Sequence, residues 1–185
     1  MRRIADGVAA SLPPTLEVRR TRPDAGVVDY PTRLRMSRDV QWMVSLHSDS
    51  RAGVGLEPAP TGCWQNSGAA GFAVLWSDEG AERLVRARLR LAEVIRDRLV
   101  EAGFLAYGGQ DYGGLYEGGN GVFVDRHLPS KRIMLLRRPQ VPSVIIETHQ
   151  AWDPDEVARW SEAETWAVFA SALSAALADL GVEPG

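Results

Sequence analysis

The sequence predicts an α/β fold: a single domain with a mostly parallel, twisted sheet that is flanked by helices on both faces. Short apolar runs rich in β-branched residues alternate along the chain with longer stretches of helical periodicity. Several of these runs are apolar at almost every position, which is typical of strands covered on both sides. The 185 residues suit one core, and no repeat or low-complexity linker divides them, so the domain is expected to span residues 1–185.

Five short runs have the composition of strands. They are LEVRRT (16–21), WMVSL (42–46), GFAVLW (71–76), IMLL (133–136) and SVIIE (143–147). The glycine-rich segment 103–122 is expected to be a mobile surface loop, because no amphipathic helix follows it as a phosphate-binding loop would require. Its tyrosines are candidates to line a groove.

Two long helices are predicted between and after the strands. The first covers residues 81–102, where leucines and isoleucine share one face and Gly103 supplies a stop. The second closes the chain with an apolar stripe from Trp166 to Leu180. Asp153 followed by Pro154 predicts one more helix start, with the aspartate as its cap.

Composition excludes several classes of function. The net charge of −3 gives no reason to expect a nucleic-acid partner or an acidic membrane surface. No apolar stretch approaches the roughly 20 residues of a transmembrane helix, so no transmembrane segment is expected. The single cysteine, Cys63, excludes an intrachain disulfide framework and paired-cysteine metal sites. No signal-peptide pattern is seen at the N-terminus, and the compartment stays unknown.

Polar residues follow two of the apolar runs at the point where each is expected to end. His47 and Asp49 come after WMVSL, and Glu147 and His149 close the run SVIIE. Residues two apart on an extended strand point to the same side, so each strand end is expected to offer an imidazole and a carboxylate together. Ligands bind at the carboxyl ends of parallel strands, and the four side chains are therefore expected to form a site.

These residue types suit a metal-assisted hydrolysis. Neutral imidazole is a ligand for Zn²⁺, and a catalytic zinc ordinarily has three protein ligands and one water. A nearby carboxylate can accept the proton of that water as it attacks an amide carbonyl, and Glu147 is the candidate for this general base. His149, Asp49, Arg137 and His127 are candidates to support the site or to contact substrate. In the competing interpretation Glu147 pairs with an arginine such as Arg137, His149 is a turn residue, and His127 is a surface residue.

Two segments resemble the zinc-dependent N-acetylmuramoyl-L-alanine amidases of type 3, a family that cleaves peptidoglycan. They are VRRTRPDAGVVDYPTRLRMSRDVQWMVSLHSDS and RIMLLRRPQVPSVIIETHQAWDPDEVARW. The residues that match the family pattern are Arg22, Arg33, His47, Leu136, Arg137, Pro142 and Glu147. The resemblance covers about residues 8–180 and implies that His47 is a zinc ligand. It also implies that Glu147 is the general base for cleaving the amide between N-acetylmuramic acid and L-alanine.

The chain departs from the family pattern at its beginning. The family's first histidine ligand, in a G-H-G-G type turn, and its second ligand, a glutamate on the first helix, have no counterpart here, and residues 1–12 resemble the tail of that helix. Four explanations stay open. An upstream segment of a longer protein carries the ligands; a partner protein supplies them; His149, His127 or Asp49 replaces them; or the chain is a noncatalytic binding or structural module without metal. A zinc amidohydrolase of small amides is a further alternative. Location in the cell envelope or periplasm is implied by the resemblance alone.

Overall fold

The structure, a computed structural model, describes residues 1–22, 24, 26–51, 55–60 and 62–181. Helices and strands alternate along most of the chain. The helices are α1 (Arg2–Ser11), α2 (Tyr30–Met36), α3 (Glu82–Glu101), α4 (Met134–Arg137), α5 (Pro154–Arg159) and α6 (Ala163–Gly181). The strands are β1 (Met43–Asp49), β2 (Glu57–Pro58), β3 (Trp64–Gln65), β4 (Ala73–Trp76), β5 (Tyr116–Gly119), β6 (Val122–Asp125) and β7 (Ser143–Gln150).

The main sheet has five strands in the order β1-β7-β4-β6-β5, and β2 and β3 form a separate antiparallel ribbon. β1 and β7 are parallel, as are β4 and β6, whereas β7 and β4 are antiparallel. β5 and β6 form an antiparallel hairpin, because the turn Asn120-Gly121 between them is too short for any other connection. The predicted α/β class is confirmed, and the strand directions are mixed.

Each face of the sheet packs against its own apolar layer. Val144 and Ile146 of β7 belong to the larger core, together with residues of α1, α3 and α6. Ile145 points the other way, into a smaller core that contains Tyr107, Tyr112 and Phe123. The short helix α4 covers β4 and β7 on this second face. Helices therefore lie on both faces, as the sequence predicted.

Two of the predicted strands are wrong. Residues 16–21 form no strand, and the charged residues Glu17, Arg19 and Arg20 of this run are exposed. The run 133–136 begins the helical turn α4, because the carbonyl of Ile133 accepts hydrogen bonds from backbone N–H groups three and four residues later. A four-residue apolar run does not distinguish a strand from one turn of buried helix.

The expectation of a mobile loop over 103–122 is also wrong. Tyr107 is fully buried and Tyr112 is 7% exposed. Their rings lie 5.0 Å apart, and the ring of Tyr112 meets Phe123 edge-on at 4.8 Å. The segment thus supplies much of the second apolar layer and then enters the β5–β6 hairpin.

The predicted helices are confirmed with small shifts at their ends. α3 is followed by Gly103 in the left-handed region, with a φ of 83°. At α5 the carboxylate of Asp153 accepts hydrogen bonds from the N–H groups of Asp155 and Glu156, and Pro154 occupies the first turn. Among the described residues, no helix combines the length and the apolar character needed to span a membrane.

Candidate active site

His47 and Glu147 are neighbours across the parallel strand pair β1/β7, where they occupy matched positions of the register. The Nδ1 atom of His47 lies 3.7 Å from Oε1 of Glu147. Glu147 is two residues after Ile145 and so faces the second apolar layer. The structure brings together the two side chains that the sequence singled out, near the carboxyl ends of both strands.

Glu147 is a buried carboxyl group with few polar contacts. Its side chain is 12% exposed, and its Oε2 atom has no hydrogen-bond partner among the described residues. Burial and, to a lesser extent, the charge of Asp49 raise the pKa of Glu147, the charge of Arg51 lowers it, and the net pKa is about 8. At neutral pH the carboxyl group is therefore largely protonated.

His47 is the more accessible member of the pair, with 43% of its side chain exposed. The partial burial of the ring lowers its pKa, and the guanidinium group of Arg33 adds to this effect, as does that of Arg22. The charge of Asp49 acts in the opposite direction. A neutral imidazole beside a protonated carboxyl group is not an ion pair, and 3.7 Å is too long for a hydrogen bond. Each of the two side chains can therefore still form a hydrogen bond with a third group.

Asp49 points to partners other than His47. Its Oδ2 atom accepts hydrogen bonds from Nε of Arg51 at 2.8 Å and from the hydroxyl of Tyr112 at 2.9 Å. The guanidinium group of Arg51 lies over the ring of Tyr107, 3.8 Å from its centroid. Arg51 thus connects the end of β1 to the tyrosine-containing segment. Composition and spacing gave no signal for it, because an arginine just past a strand end is usually exposed.

Arg51 also holds the ends of neighbouring strands together. Its Nη1 atom donates to the carbonyls of Ala69 and Gly71, just before β4, at 2.6 and 2.8 Å. Its backbone N–H donates to Oε1 of Gln150 at the end of β7, and its carbonyl accepts from Nε2 of the same side chain. The site is therefore built on a rigid junction of β1, β4 and β7.

His149 does not share a face with Glu147, and that expectation is wrong. The register of β1 and β7 shifts between the pairs His47/Glu147 and Asp49/Gln150, so β7 contains one extra residue there. This bulge turns His149 to the opposite face, where its ring stacks on Trp160 at 5.4 Å. Burial lowers the pKa of His149 to about 4, so the ring is neutral at pH 7.

Arg137 is the last residue of α4 and pairs with groups other than Glu147. Its Nη1 atom is 3.5 Å from the Glu79 carboxylate and 3.3 Å from the carbonyl of Pro129. The cation that acts on Glu147 is Arg51. The competing interpretation, in which Arg137 neutralises Glu147, is therefore wrong.

His127 is separated from the His47–Glu147 pair by Tyr116. The ring of Tyr116 meets that of His127 edge-on at 5.2 Å. Burial raises the pKa of the Tyr116 phenol, and the charges of Glu147, Asp49 and Asp125 add to the shift. The phenol is thus within electrostatic reach of carboxylates on both sides.

A metal ion does not fit the described residues alone. They contain no group of three His, Cys, Asp or Glu side chains that could hold one ion. His47 and Glu147 offer two donors, and the unpartnered Oε2 of Glu147 is an open coordination or hydrogen-bonding position. A catalytic zinc site ordinarily needs three protein ligands, so at least one donor would come from elsewhere.

An open groove of about 970 Å³ borders His47 on the side of α1. β1 forms its inner wall and is the terminal strand of the sheet among the described residues. Apolar side chains such as Leu12, Trp42 and Val44 line it, as do His47 and Arg33. The groove therefore leads along an open sheet edge directly to His47.

No protein-family model matches the chain, and no curated protein matches it. Solved structures do match it. Ami1 of Mycobacterium smegmatis, an N-acetylmuramyl-L-alanine amidase, is 23% identical over 97% of this chain and 74% of that chain, with a TM-score of 0.70. The amidase AmiC2 of Nostoc punctiforme is 19% identical over 97% of this chain and 81% of its own, with a TM-score of 0.67. This chain has the fold of N-acetylmuramoyl-L-alanine amidases.

The resemblance predicted from the sequence is therefore confirmed at the level of the amidase fold. A third structure of this fold, the CwlD amidase of Clostridioides difficile, was solved in complex with the GerS lipoprotein. It is 16% identical over 98% of this chain and 87% of that chain, with a TM-score of 0.68. Each of the three amidases is longer than the part that this chain matches.

Proposed function

We propose that this chain forms most of a peptidoglycan amidase domain, which hydrolyses the amide between N-acetylmuramic acid and L-alanine. One observation carries the proposal: a buried carboxyl group, Glu147, faces a histidine at matched positions of two parallel strands and has an unpartnered oxygen. Packing alone gives no reason for such a group, because an unsatisfied buried oxygen destabilises the fold. The amidase fold supports the choice of substrate.

Glu147 is the general base of the proposed reaction. In its ionised form it accepts a proton from the attacking water, and in its protonated form it returns one to the departing amine of L-alanine. Its pKa of about 8 suits both roles near neutral pH. His47 remains neutral there and offers a ring nitrogen to the open groove.

The resemblance implies zinc. The proposal includes a zinc ion only if further protein ligands are supplied to hold it. The described residues supply His47 as a ligand and Glu147 as the base, and one ligand is too few for a catalytic zinc site. An upstream segment or a partner protein that enters the groove beside β1 is the proposed source of the remaining ligands. The complex of CwlD with GerS gives a precedent for a protein partner on this fold. Location in the cell envelope belongs to the same proposal.

The incomplete donor set favours a second candidate, a noncatalytic module that binds peptidoglycan without metal. Zinc analysis and dye release from labelled peptidoglycan separate the two. The wild type, Glu147→Ala and the exposed control Glu162→Ala are compared, each with and without added zinc. With the segment or partner that supplies the remaining ligands present, we expect release from the wild type and the control, and a loss of at least about 100-fold in Glu147→Ala.

Three outcomes would contradict this proposal. If the chain binds insoluble peptidoglycan but releases no dye and contains no zinc, only the noncatalytic binding module remains as an interpretation. Release that is unchanged by Glu147→Ala would exclude the proposed base. Hydrolysis of a soluble N-acyl amino acid without release from the polymer would indicate a small-amide hydrolase instead.

A further inference from the structure

A second histidine, His127, is held in place by a fully buried carboxylate, Asp125, at the end of β6. Oδ1 of Asp125 accepts the backbone N–H of His127 at 3.0 Å and lies 2.8 Å from its Nδ1 atom. Oδ2 accepts the backbone N–H of Ile133 at 2.7 Å. Asp125 follows Phe123 by two residues and therefore lies on the same face of the sheet as Glu147.

These contacts fix the tautomer of the imidazole. Asp125 acts as an acceptor toward two backbone N–H groups, so Nδ1 of His127 carries the proton that it donates to this carboxylate. The Nε2 atom then has a free lone pair, and the side chain is 24% exposed. Arg132 donates to the carbonyl of His127 at 2.6 Å and also to that of Asp125, which holds the loop around the ring.

The folding of this loop does not require an imidazole. The two backbone N–H groups that need an acceptor, those of His127 and Ile133, are satisfied by Asp125 itself. The contact of the His127 ring with Tyr116 would be made equally by another aromatic ring. The oriented Nε2 atom is therefore the feature that a purely structural role leaves unexplained.

Aromatic rings connect this imidazole to the candidate active site. Tyr116 contacts His127 on one side and Tyr112, with ring centroids 4.6 Å apart, on the other. The hydroxyl of Tyr112 donates to Asp49, two residues after His47. Tyr116 contacts His127 directly and its phenol feels the charge of Glu147, and both side chains lie on the same face of the sheet.

We propose that His127 contacts the substrate: its Nε2 atom accepts a hydrogen bond from a hydroxyl or amide N–H group of a muramoyl-peptide bound across Tyr116 from Glu147. This inference rests on the proposed function, because that function defines the substrate. Asp125 is a positioning residue that sets the tautomer and the direction of the ring. No bond of the substrate is made or broken at His127.

Binding is measured in the Glu147→Gln background, so that turnover does not consume the ligand. The probe is a soluble N-acetylmuramoyl dipeptide, titrated by calorimetry and by NMR of the His127 ring. His127→Phe keeps a ring against Tyr116 but removes the acceptor, and we expect about tenfold weaker binding, the effect of about one hydrogen bond. His127→Gln restores an acceptor and should recover part of the affinity. Leu128→Ala, an exposed neighbour in the same loop, serves as the matched control and should bind as the parent does.

The outcomes separate this inference from the proposed function. Equal affinity in the parent and in His127→Phe, with no shift of the His127 resonances, would overturn the role of His127 and leave the amidase proposal intact. Absence of binding by the Glu147→Gln parent would overturn both. Weaker binding in His127→Phe, with partial recovery in His127→Gln, supports the contact even where hydrolysis is not observed. Melting curves of all variants exclude unfolding as the cause.

Discussion

Nδ1 of His47 and Oε1 of Glu147 lie 3.7 Å apart at matched positions of two parallel strands, and neither atom has the charge that would make the contact a salt bridge at neutral pH. Burial disfavours the charged form of both groups. Burying these two groups therefore reduces the stability of the fold. Their nitrogen and oxygen atoms, however, stay available to bind a ligand. This is the pattern expected of a functional site.

Glu147→Gln should change how stability depends on pH. The pKa of Glu147 is raised from its ordinary 4.5 to about 8, so the folded state binds the extra proton between these values, and unfolding becomes easier as pH rises through this window. Glutamine does not titrate. We expect the variant to gain stability relative to wild type from pH 4.5 to pH 8, by at most about 5 kcal/mol at about 1.36 kcal/mol per pKa unit.

Urea unfolding with a chelator present, at pH 4.5, 6.5 and 8.5, measures this difference. The exposed control Glu162→Gln should show a difference that is independent of pH. A pH-independent difference for Glu147→Gln as well would mean that Glu147 titrates normally in the folded protein.

Arg51→Lys should destabilise the protein by about 3 kcal/mol, although it keeps the charge. An ammonium group cannot reach Asp49 and the carbonyls of Ala69 and Gly71 together, and it leaves buried acceptors without donors. Chemical denaturation measures the loss. Arg19→Lys, at an exposed pair with Glu17, should leave stability nearly unchanged. A similar small effect at Arg51 would contradict its role as the junction of three strands.

Tyr112→Phe should lower the free energy of unfolding by about 1 kcal/mol, the value of one hydrogen bond. The loss stays small because Asp49 keeps its bond to Arg51 after the hydroxyl is removed. Thermal and urea unfolding measure it, with the exposed Tyr30→Phe as the control. If the two substitutions had equal effects, the bond between Tyr112 and Asp49 would contribute nothing.

Gly7→Ala tests how closely α1 packs on α6. Alanine favours a helix over glycine by about 1 kcal/mol, but a Cβ atom at this position would overlap the ring of Trp166, and overpacking costs about 1–3 kcal/mol. We expect net destabilisation in the wild-type background. In a Trp166→Leu background the overlap is relieved, and the same substitution should become stabilising. A stabilising effect in both backgrounds would show that the helices separate without penalty.

Sequence patterns predicted the strands that carry the site, and they did so for a physical reason. The run around Ile146 is apolar at successive positions because both faces of β7 are covered, and this composition is visible without a structure. The position of His149 was not predictable, since the bulge in β7 depends on how the strand pairs with β1. The hairpin turn at Asn120-Gly121 was predictable, because both residues have positive φ and this dipeptide favours such turns. The contacts of Arg51 join distant parts of the chain, and local sequence patterns cannot predict such contacts.

The open edge of β1 has a practical consequence for work with the purified protein. A terminal strand of seven residues has one unpaired edge beside an open groove, and such edges template pairing between molecules. Preparations of this chain should therefore be prone to concentration-dependent aggregation. Dilute samples would be the route to well-behaved material.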